Sequence, residues 1–205
     1  LKKYGKGRER KTEIKLFESI QAKQVAIANA RLYVNRSEGF IGTGLKKDEF
    51  VDDCSDLDDI IAFTKTGKMK VVKVADKVFI GKDILHIAIF KKNDERTTYN
   101  MIYADGKTGI SYAKRFNVTS VTRDKEYDLT KGSDKSKVHY FSVNPNGEAE
   151  AVKIILSPSS TARNKDLEFY FEELEIKGRG SMGNQVTKYP VKSVKFKEAG
   201  RSTLS

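Results

Sequence analysis

The sequence holds one cysteine, Cys54, and two histidines. A lone thiol cannot close an internal disulfide, so no covalent staple supports the fold and the chain suits a reducing, cytoplasmic compartment. No apolar run approaches the roughly 18 residues expected of a membrane-spanning helix. No long basic amphipathic helix marks attachment to a membrane surface. The N-terminus has neither an initiating Met nor an apolar signal region, which reads as a cut inside a longer polypeptide.

Sets of residues that carry chemistry are equally sparse. His86 and His139 have no cysteine or carboxylate at ligand spacing and read as packed or hydrogen-bonded strand residues, not a metal or catalytic pair. Five aspartates fall between Asp52 and Asp59, but they match no EF-hand loop and include no glycine where such a loop turns. The run 48–59 therefore reads as a solvated connection. No Ser/His/Asp or Cys/His set, paired-carboxylate motif or phosphate-binding Lys loop stands out. The chain reads as non-catalytic, with no metal and no cofactor of its own.

Glycine is where the sequence becomes unusual. Gly178, Gly180 and Gly183 satisfy G-x-G-x-x-G, yet a dinucleotide site needs that loop to open a helix. The residues after the loop include Val186, Thr187, Pro190, Val191 and Val194, which are strand formers and a helix breaker, so the dinucleotide reading fails. A flexible loop with Lys177 and Arg179 instead lets backbone amides and cations approach a phosphate chain. A tight connection between two structural units fits the same residues.

Residues 58–74 set the pattern for the rest: an apolar strand, a Thr-Lys-Thr-Gly turn ending at Gly67, and a return strand rich in Val and Lys. The outline recurs at 32–41, 101–112 and 140–152, with a looser copy at 167–194. Turn glycines Gly39, Gly67, Gly106 and Gly147 lie roughly 30 to 40 residues apart, as in a propeller-like array whose blades bury their faces on one another. In residues 84–90, Leu85, Ile87 and Ile89 form a core face, with His86 and Ala88 opposite. Residues 1–11 read as a basic arm or linker, and 12–30 are ambiguous between helix and strand, with strand favoured by the repeats on either side.

Lys and Arg number 39 against 28 Asp and Glu, a formal charge of +11. Such an excess favours a polyanion, nucleic acid first, because cations displace condensed counterions from phosphates. The expected phosphate contacts are Lys65, Lys68, Lys70, Lys107, Lys114, Arg115, Lys177, Arg179, Lys188 and Lys192. Lys68 and Lys70 share a strand face with Val72 and Val74, so burial of that face would remove them. With no recognition helix in sight, binding should show little sequence preference.

The hairpin repeats, the glycine-arginine loop and the stretches 32–42 (LYVNRSEGFIG) and 122–132 (TRDKEYDLTKG) together resemble the C-terminal region of bacterial DNA gyrase and topoisomerase IV A subunits. The likeness covers nearly the whole chain. It implies an all-β fold, the β-pinwheel: a propeller-like disc of about five hairpin-based blades that exchange strands, here over 12–205, whose basic rim binds and bends duplex DNA. It also implies a parent that is an ATP-dependent type IIA topoisomerase. The strand-cleaving tyrosine of that enzyme lies outside this chain, its ATP and Mg are held by other domains and a B subunit, and its DNA is in the nucleoid.

Gyrase A subunits carry a Q-R-R-G-G-(K/R)-G box in the first blade. The nearest match is Lys177, Gly178, Arg179, Gly180, Ser181, Met182 and Gly183, in the last repeat, where Arg179, Gly180 and Gly183 agree. A displaced, degenerate box resembles topoisomerase IV more than gyrase. The alternative is a propeller-type protein interaction scaffold whose basic surface is incidental.

Overall fold

The computed structural model of the chain describes residues 28–204, so the basic arm and most of the ambiguous 12–30 segment lie outside the described residues. The described residues form four sheets, and their helical content is a 3-10 turn at Phe171–Glu173. The first sheet contains β1 (Ala30–Asn35), β2 (Phe40–Gly42), β3 (Glu49–Cys54) and β6 (Val78–Phe79), in the order β3-β1-β2-β6. The second contains β4 (Asp59–Thr64), β5 (Lys68–Lys73), β7 (Ile84–Ile89) and β10 (Glu126–Asp128), in the order β10-β5-β4-β7. In the third, β8 (Thr98–Ala104) and β9 (Ser111–Asn117) are flanked by β11 (Lys137–Asn144) on one side. Both β14 (Ile176–Gly178) and β15 (Asn184–Thr187) lie along the other. The fourth has β12 (Ala151–Leu156) between β13 (Asp166–Tyr170) and β16 (Val191–Glu198).

One rule generates this order. A hairpin opens each of the first three sheets, and a third strand joins beside its first strand. The second strand is then covered by a strand that comes later in the chain: β6 covers β2, β10 covers β5, and β14 with β15 cover β9. Neighbouring sheets therefore exchange strands, as the resemblance implies.

Three hairpins fall where the sequence places them: β1–β2, β4–β5 and β8–β9. The fourth does not. Residues 140–152 join two different sheets, since β11 pairs with β8 while β12 pairs with β13 and β16. The looser copy at 167–194 builds no sheet of its own. Its strands are divided between β12 and β9, so the described residues give four blades where about five were expected.

Between the four sheets lie three apolar layers. Ile60, Ala62 and Val72 meet Leu32, Val34 and Ile41 in the first. Ile61, Phe63, Met69 and Val71 meet Met101, Tyr103 and Phe116 in the second. Ile102 and Ala113 meet Val152, Ile154 and Phe171 in the third. Successive side chains of a strand point to opposite faces, so a strand between two layers reads as a continuous apolar run, as β4 does.

A bulge corrects one expectation. Phe63 pairs with His86 but Thr64 with Ile84, so Leu85 is an extra residue. Leu85 consequently packs with Ala88 on the second layer, while Ile84, Ile87 and Ile89 serve the first. His86 packs against the rings of Phe63 and Phe141, each with its centroid 6.0 Å away. Its Nε2 is buried without a partner, and burial lowers its pKa to about 4, so the ring is neutral at pH 7.

Candidate nucleic-acid interface

The hairpin turns are joined into a row by the connections that come after the exchanged strands. After β6, residues 80–84 cross the first turn, where the Ile80 amide donates to Gly39 O (2.8 Å) and the Ile84 amide to Arg36 O (3.0 Å). Gly39 must be glycine here: φ is +82° and a Cβ would lie 2.2 Å from Gly81 O. The Lys65 amide in the second turn then donates to Asp83 O at 2.9 Å. After β10 the same moves recur. The Leu129 amide donates to Gly67 O and the Val138 amide to Lys65 O, both at 2.8 Å, while the Gly106 amide of the third turn reaches Ser136 Oγ at 3.1 Å. After β15, Pro190 O accepts from the Ser157 amide at 2.8 Å in the loop between β12 and β13.

This row displays Lys82, Lys65, Lys131, Lys135, Lys107 and Lys188, all exposed. None of the six is in an ion pair among the described residues. Lys131 donates to Tyr112 Oη at 3.3 Å and Lys188 lies over the Tyr189 ring, but ammonium groups without carboxylate partners along successive turns can neutralise successive phosphates.

The glycine-arginine loop has a different origin. β14 runs parallel to β9 over Arg115–Asn117, and β15 returns antiparallel over Ser111–Ala113. Between them the chain leaves the edge of β9 opposite Lys114. Ser181 N closes a turn on Gly178 O at 2.9 Å. Arg179 extends toward the connection between β9 and β10, where its Nη1 donates to Ser120 O (2.7 Å), and its guanidinium lies 4.4 Å from the centre of the Tyr127 ring on β10. Gly183 has φ +90°, and a Cβ there would lie 2.5 Å from Ala113 O. Gly178 and Gly180 face open space and do not have positive φ, so Gly183 is the glycine that the backbone requires.

The expected contacts divide accordingly. Lys65, Lys107 and Lys188 stand in the row of turns, and Lys177 and Arg179 on the loop, with Lys177 Nζ 3.9 Å from Glu175. Lys192 is exposed on β16. Lys68 is paired with Asp128 at 2.7 Å, and Lys70 is half-buried on β5, opposite Glu126. Lys114 and Arg115 are corrections: they are 2% and 1% exposed. Both faces of β9 are covered by neighbouring sheets, so neither side chain reaches a phosphate. Arg115 instead donates to Asn100 Oδ1 (3.0 Å), Thr203 Oγ1 (2.9 Å) and the carbonyls of Gly147 (2.9 Å) and Glu148 (3.2 Å).

Lys82, Lys131 and Lys135 escape the sequence reading because they sit in connections and not in hairpins. A signal was available: Gly81 precedes Lys82 and Gly132 comes after Lys131, a glycine and a cation after each of the first two exchanged strands. The aspartates of 48–59 are drawn to separate partners, Asp53 to Arg31 (3.6 Å) and Asp59 to Arg123 (3.0 Å), while Asp58 accepts from the Ser55 amide (2.8 Å).

Over residues 31–198 the chain matches the family described as topoisomerase C-terminal domain, Bacteroidota. It is 30% identical over 198 residues to the A subunit of DNA topoisomerase 4 from Borreliella burgdorferi, covering 96% of this chain and 30% of that protein. The chain thus spans under a third of that relative. It is also similar to the crystal structure of the C-terminal domain of DNA topoisomerase IV, with a TM-score of 0.53 and 11% identity over 82% of this chain and 61% of that one. At that identity the likeness concerns the fold, an all-β pinwheel whose sheets exchange strands. With the family match spanning all four sheets, the chain belongs to the topoisomerase C-terminal domain family.

Proposed function

We propose that this chain binds and bends duplex DNA as a non-cleaving part of a type IIA topoisomerase A subunit, of the topoisomerase IV kind more than the gyrase kind. The observation that carries this reading is the row of unpaired lysines crossing the turns of successive blades. Among the described residues the one helical turn spans three residues, Phe171–Glu173, too short to enter a major groove. Recognition then falls to phosphates, with little sequence preference. A duplex that tracks turns set on successive blades curves with them, and bending adds contacts in exchange for deformation energy.

The topoisomerase IV preference is supported by the names of the relatives and by the place of the degenerate box, on the third sheet and not the first. In this reading DNA cleavage, ATP and Mg belong to a B subunit together with the rest of the A subunit, in the cytoplasm. The test is a salt titration of binding to a mixed-sequence duplex. Log affinity should fall linearly with log salt, by about 0.9 for each phosphate engaged. Binding that is absent at low salt, or indifferent to salt, would overturn the reading in favour of a protein scaffold.

A further inference from the structure

In the first two sheets the exchanged strand is a single antiparallel piece, β6 or β10. In the third it is split into β14 and β15, and residue 114 of β9 is left facing the gap. The loop that fills this gap turns three carbonyls toward the sheet. Lys114 Nζ donates to Arg179 O (2.7 Å) and Ser181 O (2.9 Å), and Tyr103 Oη donates to Met182 O (2.6 Å). Tyr103 is fully buried and stacks on Tyr112, with centroids 5.7 Å apart. The ammonium of Lys114 also lies 4.9 Å from the centre of the Phe116 ring, and among the described residues it has no carboxylate partner.

A buried ammonium held by carbonyl oxygens does what a bound cation would do: it gathers backbone dipoles that would otherwise repel one another or be left unpaired. We propose that Lys114 and Tyr103 form a pin that shapes the glycine-arginine loop, so that Lys114 acts on DNA only through Arg179 and the loop backbone. This inference rests on the DNA reading of the loop. Lys114 holds the carbonyl of Arg179 itself. The pin therefore sets where the Arg179 side chain begins, and so whether it reaches Ser120 O and the Tyr127 ring on the neighbouring blade. Lys114 is a positioning residue, and its charge serves the loop before it serves DNA.

The experiment uses the 205-residue chain with the variants Lys114→Met, Tyr103→Phe, Arg179→Ala and the double variant Lys114→Met/Arg179→Ala. Without DNA, the amide resonances of Gly180 and Gly183 should shift in Lys114→Met and in Tyr103→Phe while signals of the first layer around Ile87 stay in place. With a duplex, Lys114→Met and Arg179→Ala should each weaken binding about two- to tenfold. The double variant should be no weaker than the worse single one, and adding Lys114→Met to Arg179→Ala should leave the salt slope unchanged.

Multiplied losses with a further drop in slope of about one would make Lys114 a direct phosphate contact and overturn the pin. Loop amides that stay in place in both pin variants would overturn it equally. Shifted amides with wild-type binding in every variant would also overturn it, by removing the loop from the DNA path. The salt dependence of the lysine row would then still stand, which separates this failure from failure of the proposed function. Should Lys114→Met not fold, Tyr103→Phe, which removes one hydroxyl, carries the test.

Discussion

Replacing Arg115 by Met should be among the most damaging single changes in the chain. Its guanidinium ties the third sheet to the fourth, holding Asn100 Oδ1, two carbonyls of the linker before β12, and Thr203 near the C-terminal end. Asn100 in turn donates to Glu150 Oε2 at 2.8 Å, and Glu150 is 4% exposed. Burial lowers the Arg115 pKa and the charge of Glu150 raises it again, so the cation and the carboxylate are held in one network. Methionine fills much of the volume, but whereas Gly147 O keeps the Thr203 amide and Glu148 O keeps Asn100 Nδ2, Asn100 Oδ1 is left without a donor, at about 1–3 kcal/mol before water enters. It also leaves a buried carboxylate uncompensated. Breaking such a network from one side costs about 3–5 kcal/mol. In urea unfolding followed by tyrosine fluorescence, the midpoint should fall by about 1 to 2 M. A loss below about 1 kcal/mol would refute the buried role. So would a stable variant whose DNA salt slope drops by about one, because it would return Arg115 to the surface.

Ile87, 5% exposed in the first layer, should lose about 2–5 kcal/mol on replacement by Ala, read by chemical unfolding, whereas Leu85→Ala should cost less because Leu85 is half-buried. Gly183→Ala should destabilise the fold by about 1 kcal/mol or more, since it combines positive φ with a backbone clash, while Gly180→Val should leave stability within about 0.5 kcal/mol. His86 gives a pH signature. Its folded pKa of about 4 lies below the ordinary 6.5, so the unfolded chain takes up the proton first. The stability from the neutral ring is complete above pH 6.5 and is lost as pH falls toward 4, at about 1.4 kcal/mol per unit and roughly 3 kcal/mol in all. Denaturation midpoints at about pH 7 and about pH 5 should differ in wild type and differ less in His86→Phe.

The hairpins at Gly39 and Gly67, and that between β8 and β9, were legible because each joins a glycine turn to strands whose apolar residues suit a layer on either side. Gly147 carries the same local signal, φ +67° included, but it serves a crossing between sheets, held by Arg115 and packed against Leu204. Nothing local distinguishes the two uses. Strand exchange is likewise invisible in a single segment, because the partner of β10 is chosen by where the chain lies after the β8–β9 hairpin. Lys114 and Arg115 failed as surface residues for a related reason. Charged residues in a strand suggest a wet face, yet β9 is covered on both faces and meets the charges with carbonyls and amides. Lys65 and Lys107 were legible because turns project into solvent whichever sheet they belong to.

The proposed path of DNA runs along the lysines set across successive turns. The measurement is duplex bending by fluorescence transfer between the DNA ends, run beside a salt titration, on wild type and on a folded variant with Lys65, Lys107, Lys131 and Lys135 changed to Ala. The variant should bind more weakly, with a salt slope shallower by about 0.9 for each phosphate no longer engaged, and should leave the ends of the duplex further apart. Wild-type affinity, slope and bending in that variant would contradict the account.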